Sequence, residues 1–149
     1  MIDNNDNLES LFQVRHATYD DITDILKITK EGFVKYEELA GVSGLPALSE
    51  TYYDVKSDIE SKIVLIAIQD GMPVGSVRVA VDEKTKTAYL SRFAVKVDNQ
   101  NNGIGKSIMN LVDRIMKKRG VKSISLHTGA KITSLIRFYY GRGFYIDST

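Results

Sequence analysis

The spacing of apolar residues changes along this chain, and the change predicts a mixed α/β fold. Ile22, Ile25, Leu26, Thr29 and Phe33 recur at helical spacing, ahead of three short apolar runs parted by turn residues. Past those runs, helical spacing and strand-like stretches alternate. The predicted order is β-α-α-β-β-β-α-β-α-β, one mixed α+β sheet covered by helices.

Each element has a local reason. Residues 1–10, MIDNNDNLES, are polar and acidic and are expected to form a flexible tail, with residues 11–149 as a single domain. FQVRHAT at 12–18 has strand character. Thr18, followed three residues later by Asp21, suits a helix cap, so an amphipathic helix is expected over about 20–39. AGVSGLPALS at 40–49 breaks it, and Ser49 is expected to cap a second helix that carries Tyr52, Tyr53, Val55 and Ile59 and ends near Lys62. IVLIAIQ at 63–69 reads as a buried strand and Asp70-Gly71 as a hairpin turn. VGSVRVAVD at 74–82 and TAYLSRFAVKV at 87–97 complete an antiparallel meander.

After a polar loop, Ile108, Met109, Val112, Ile115 and Met116 mark one helix face that stops at Gly120. SISLHT at 123–128 is a short strand, ITSLIRFYYGRG at 132–143 a helix, and GFYIDST at 143–149 the start of a last strand.

Composition narrows the function. With 149 residues, 43% of them hydrophobic, and a formal net charge of +1, the chain has the profile of an ordinary globular domain. No global charge favours nucleic acid or a membrane surface. The absence of cysteine excludes disulfides, thiolate metal sites and a Cys nucleophile, and fits a reducing cytosol. Only His16 and His127 offer imidazoles, so no metal site is expected. The first residues lack a basic start and an apolar run, and IVLIAI at 63–68 is too short to cross a bilayer, so a cytoplasmic location is expected.

The loop VDNQNNGIGKS at 97–107 carries the chemistry. Glycine permits tight turns, and a helix start presents N–H groups and partial positive charge to an anion. An ATPase-type phosphate loop would need glycine where Gln100 stands. A dinucleotide fingerprint would need glycine at Ile108 and a place near the first strand. The remaining pattern, Q/R-x-x-G-x-G/A between a long strand and an amphipathic helix, is met in full by Gln100, Asn101, Asn102, Gly103, Ile104 and Gly105.

That pattern resembles the coenzyme A pyrophosphate loop of the GNAT superfamily of N-acetyltransferases. VRHATYDD at 14–21 resembles the family's first strand and helix start, and LSRFAVKVDNQNNGIGKSIM resembles its strand–loop–helix block. Tyr139, Gly143 and Phe144 match its Tyr-x-x-x-Gly-Phe ending, so the likeness spans about 12–146. It implies acetyl transfer from acetyl-CoA to a primary amine of a small molecule or peptide, by direct attack and without a metal. Backbone N–H groups from about Asn102 to Lys106, with Lys106 and Ser107 side chains, would line the pyrophosphate. Phe93, Ala94 and Val95 would lie along the pantetheine arm, which pairs with strand backbone as an added strand would. Tyr139 is the expected general acid for the leaving thiolate, with Tyr140 its competitor.

Three departures from the family pattern stand out. Ser91 occupies the strand position where an acid is often found, leaving the base to His127, to Glu37, Glu38, Glu50 or Asp54, or to water. Ile132 replaces the asparagine seven residues before the tyrosine, with Thr133 or Ser134 as substitutes. The family's usual final strand is expected to be missing, leaving a short open sheet, a truncated product, or an edge completed by a partner, for which a homodimer is the hypothesis. Tyr36, Tyr52 and Tyr53 with the nearby acids are expected to border the acceptor pocket. These departures also support a second reading, a non-catalytic CoA- or acyl-CoA-binding sensor or subunit.

Overall fold

The computed structural model describes residues 11–96, 103–126 and 146–147. The expected tail 1–10, loop residues Gln100, Asn101 and Asn102, His127, the expected helix over 132–143 and Tyr139 lie outside the described residues. The elements are β1 (Phe12–His16), α1 (Ile22–Ala40), α2 (Tyr52–Ser61), β2 (Ile63–Gln69), β3 (Met72–Asp82), β4 (Thr87–Val95), α3 (Ile104–Lys118), β5 (Ser123–Leu126) and β6 (Ile146–Asp147). Single 3-10 turns lie at Tyr19–Asp21 and Pro46–Ser49.

The strands form one six-stranded sheet in chain order. β1 to β4 run antiparallel to their neighbours, whereas β4 pairs β5 and β5 pairs β6 in parallel. The expected meander is β2-β3-β4. Its first turn is the expected Asp70-Gly71, both with positive φ (52° and 79°), and strand pairing resumes at Met72, two residues before the expected strand start. Two left-handed central residues match the twist of the flanking strands.

Helices cover both faces. On one, Leu65, Val77, Val79, Ala88 and Leu90 pack with Ile104, Ile108, Met109, Val112 and Met116 of α3. On the other, Val64 and Ile66 meet Ile22 and Ile25 of α1 and Val55 of α2. The alternation Val64/Leu65/Ile66 supplies both cores, which explains why this stretch reads as a continuous apolar run.

Two helix starts differ in detail from expectation. Thr18 and Asp21 do form a capping box, but across the 3-10 turn that leads into α1. The α2 cap is Thr51, whose hydroxyl accepts from the Asp54 N–H (3.3 Å), while Ser49 Oγ donates to the Pro46 carbonyl (3.1 Å). The extra turn Pro46–Ser49 moves the helix start two residues along the chain. α3 ends as expected, with Gly120 left-handed (φ 72°) and the Val121 N–H closing on the Met116 carbonyl.

Asp21 ties the start of α1 to β1. Its carboxylate accepts from Arg15 Nη1 and Nη2 (2.8 and 3.0 Å) and from the Thr18 N–H (2.8 Å). The Arg15 guanidinium, helped by that N–H and opposed by burial, holds the carboxyl below its ordinary range. A depressed folded-state pKa stabilises the fold above the unfolded value and loses that contribution as pH falls through the folded one. Asp21→Asn should therefore cost about 1–3 kcal/mol at pH 7. In urea titrations, its stability should also fall less steeply than the parent's below about pH 5.

Candidate active site

The described part of the glycine loop is already helix. α3 starts at Ile104, Gly103 is its N-cap in the left-handed region (φ 79°), and the first intrahelical bond runs from the Ser107 N–H to the Gly103 carbonyl (3.0 Å). Gly105 and Lys106 thus belong to the first turn, where N–H groups point out of the helix end, while the Ser107 N–H is already bonded within the helix. No acid lies in that turn, so its partial positive charge is not offset there.

The two glycines act differently. A Cβ on Gly103 would meet nothing within 4 Å, so its requirement is conformational. A Cβ on Gly105 would lie 3.4 Å from Phe93 Cζ and 3.8 Å from Val95 Cγ2. Both distances are ordinary van der Waals contact, so space against β4 does not by itself require glycine at 105. Gly75 on β3 is more restrictive, since a Cβ there would come within 2.9 Å of Ile108 Cδ1. A glycine at 75 lets the first turns of α3 lie close on the sheet.

Phe93, Ala94 and Val95 are brought beside this helix start by a fault in the β3–β4 ladder. Arg78 pairs with Ser91 and Ser76 with Ala94, so Arg92 and Phe93 together oppose Val77. Arg92 takes φ 53°, a left-handed conformation that glycine usually supplies in bulges of this kind. For a non-glycine residue it costs about 1–2 kcal/mol.

The extra residue changes which way β4 faces. Before it, Ala88 and Leu90 belong to the α3-side core; after it, Phe93 and Val95 pack against that core. Ala94 turns to α1, where a Cβ on Gly32 would fall 2.9 Å from its own Cβ. Among the described residues, β4 and β5 pair from Thr87–Ser123 to Leu90–Leu126.

On the α1–α2 face the bulge meets a buried ion cluster. Arg78, fully buried, donates from Nη1 to Glu50 Oε2 (2.6 Å) and Asp58 Oδ2 (2.9 Å), and from Nη2 to Glu50 Oε1 (2.9 Å) and Thr29 Oγ1 (3.3 Å). Arg92 Nε donates to Glu50 Oε2 (3.1 Å). Beside the cluster opens a cleft of about 330 Å³, lined by Pro46, Ser49, Asp54, Ser57, Asp58 and Lys62 over Glu50 and Arg92.

This cluster was missed in the sequence, although Arg78 inside VGSVRVAVD signals a buried charge in need of acceptors. Of the acids named as candidate bases, Glu50 and Asp54 reach the cleft, and both Glu50 oxygens are taken up by arginines. Glu37 instead accepts from the Leu45 N–H (3.3 Å) and holds the connection after α1. Tyr36 packs on Phe33, and Tyr52 on Tyr53. Among the described residues, no three His, Asp or Glu side chains gather as metal ligands.

An antiparallel meander running into a parallel pair, with a glycine-capped helix after the fourth strand, defines a mixed α/β fold. The chain belongs to the acetyltransferase (GNAT) family, whose sequence model matches residues 22–144. It is 26% identical over 146 residues to an uncharacterized N-acetyltransferase of Methanocaldococcus jannaschii, covering 93% of this chain and 62% of that protein's length. Among solved structures it is similar to the PaiA N-acetyltransferase of Thermoplasma acidophilum in complex with coenzyme A, with a TM-score of 0.77, 19% identity, and 93% and 92% of the two chains covered. The ribosomal-protein-S18-alanine N-acetyltransferase of Escherichia coli gives a TM-score of 0.70 at 19% identity, covering 89% of this chain and 76% of that one. These structural likenesses are of fold. No described helix is long and apolar enough to cross a membrane.

Losing the cation at the centre of the cluster would leave Glu50 and Asp58 buried side by side. Arg78→Met is expected to cost about 3–5 kcal/mol, read as a lowered urea midpoint with an unchanged slope.

Proposed function

We propose that this chain transfers the acetyl group of acetyl-CoA to a primary amine carried by a small molecule or peptide. The observation that carries the reading is the Gly103-capped start of α3, free of acids in its first turn and set against Phe93 and Val95. Coenzyme A in the Thermoplasma structure supports it. In this reading the N–H groups of the first turn, with Lys106 and Ser107, hold the pyrophosphate, assisted by Gln100, Asn101, Asn102, Ile104 and Gly105. The backbone of Phe93, Ala94 and Val95 lies along the pantetheine arm.

Acetyl-CoA supplies the acetyl group as a thioester. The acceptor nitrogen, approaching from the cleft beside α2, forms the amide bond as the carbon–sulfur bond breaks. Tyr139 gives its phenolic proton to the departing sulfur, and the proton lost by the nitrogen passes to water. Water fits that last role because Ser91 stands where a carboxylate is usual and Glu50 is committed to its two arginines.

Calorimetric titration with acetyl-CoA, with ATP as control, tests the donor site. Saturable acetyl-CoA binding is expected, weakened about tenfold or more by Gly103→Val, which forces a β-branched residue into the left-handed region. A folded protein that binds ATP and ignores acetyl-CoA would sink the reading. Tyr139→Phe should lower kcat by about a hundredfold and leave acetyl-CoA affinity within about twofold. A parallel loss of affinity would instead make Tyr139 a packing residue.

A further inference from the structure

We infer that Glu50 is a positioning residue for the donor site: anchored by Arg78, it holds Arg92 in the left-handed conformation that closes the β4 bulge. The inference rests on the acetyl-CoA reading for its functional consequence, but its structural part stands on the ladder alone.

The bulge decides which side chains of β4 face α3. Side chains alternate strictly along a strand, so removing one residue's worth of offset exchanges the two faces for everything beyond it. Ala88 and Leu90 point to the α3 core. Without the offset, Arg92 and Ala94 would follow them there, and Phe93 and Val95 would turn to α1. With the offset, Phe93 and Val95 lie within van der Waals distance of the Gly105 position at the start of α3. The donor-site strand and the helix end that would hold the pyrophosphate are therefore in register only while Arg92 is left-handed.

Nothing in the local sequence favours that conformation. Arginine has a Cβ, and Ser91 and Phe93 on either side are ordinary strand residues. What the structure supplies is a contact from outside the strand. Arg92 Nε donates to Glu50 Oε2 at 3.1 Å, and Glu50 is 8% exposed and fixed from beneath by both terminal nitrogens of Arg78. A carboxylate so constrained defines where the Arg92 side chain must go, which is the α1–α2 face. The far end of the bulge carries its own reporter: the Lys96 N–H donates to the Val74 carbonyl at 2.8 Å, a bond that a one-residue slip would break.

Four variants separate this role from plain stability. Arg92→Gly keeps the left-handed conformation without needing the carboxylate, whereas Arg92→Val disfavours it. Arg92→Gly is expected to bind acetyl-CoA within about twofold of the parent, and Arg92→Val at least tenfold more weakly. Glu50→Gln should weaken binding in the parent and have no further effect on binding in the Arg92→Gly background. Thermal midpoints are recorded for all four, since Glu50→Gln lowers stability in either background.

In the ligand-free protein, the Lys96 amide should exchange slowly in the parent and in Arg92→Gly, and fast in Arg92→Val. Equal loss of affinity in Arg92→Gly and Arg92→Val would overturn the inference, because the guanidinium itself would then be the binding group. So would a Glu50→Gln effect of the same size in both backgrounds, or a Lys96 amide that stays protected in Arg92→Val. If the parent protein fails to bind acetyl-CoA at all, the proposed function fails, and the Lys96 amide still decides whether the bulge depends on Arg92.

Discussion

Arg78 carries a full charge with no exposed surface, and the α1–α2 face of the meander is organised around satisfying it. Taking such a charge out of water costs several kcal/mol, which attraction repays only where geometry and hydrogen bonding are good. The acceptors come from three separate segments: Thr29 on α1, Glu50 in the connection before α2, and Asp58 on α2. Each must arrive at the same point on β3. A purely apolar interface would tolerate sliding of the two helices, whereas four hydrogen bonds to one planar guanidinium fix their position along the strand.

That fixed position matters because α1 runs close to the bulged part of β4. Gly32 lies one turn from Thr29 and gives the clearance that Ala94 uses. On the opposite face, Gly75 gives the clearance by which α3 comes down on the same segment. Ala94 and its neighbours are thus held from both sides, by small residues that allow approach and by an ion cluster that enforces it. The left-handed strain at Arg92 is tolerable in that setting, since the surrounding packing determines the backbone more strongly than local preference does.

How much of this could be read in advance follows from what each feature depends on. Strand and helix order were legible because the periods of two and 3.6 are written into single residues such as Ile22, Ile25, Val77 and Val79. The helix-start glycine was legible because a left-handed cap leaves few choices of residue. The cap of α2 was misplaced from Thr51 to Ser49, because both residues are able caps and Ser49 is instead taken up as the last residue of the 3-10 turn Pro46–Ser49. The bulge left a trace: apolar residues fall on even positions at Ala88 and Leu90 and on odd ones at Phe93 and Val95. The cluster left only Arg78, since no local rule connects a strand residue to a carboxylate 28 positions earlier.

The same division explains why the two halves of the site speak with different clarity about function. On the α3 side, the groups that would meet a donor are main-chain N–H groups and strand backbone, which nearly any sequence supplies once a glycine permits the shape. The cleft side is lined by side chains, whose charges alternate in sign: Asp58 pairs with Lys62, Asp54 lies on the same lining, and Glu50 sits between Arg78 and Arg92. Fields from opposite charges packed this closely cancel within a few ångströms, so the cleft exerts little long-range pull on a cation. If the proposed amine acceptor enters here, its selection would fall to short-range fit against Ser49, Ser57 and the charged rim. Such fit would vary with single substitutions across the 46–62 stretch, whereas the backbone geometry that would serve the donor would feel chiefly the one residue there that holds Arg92, Glu50.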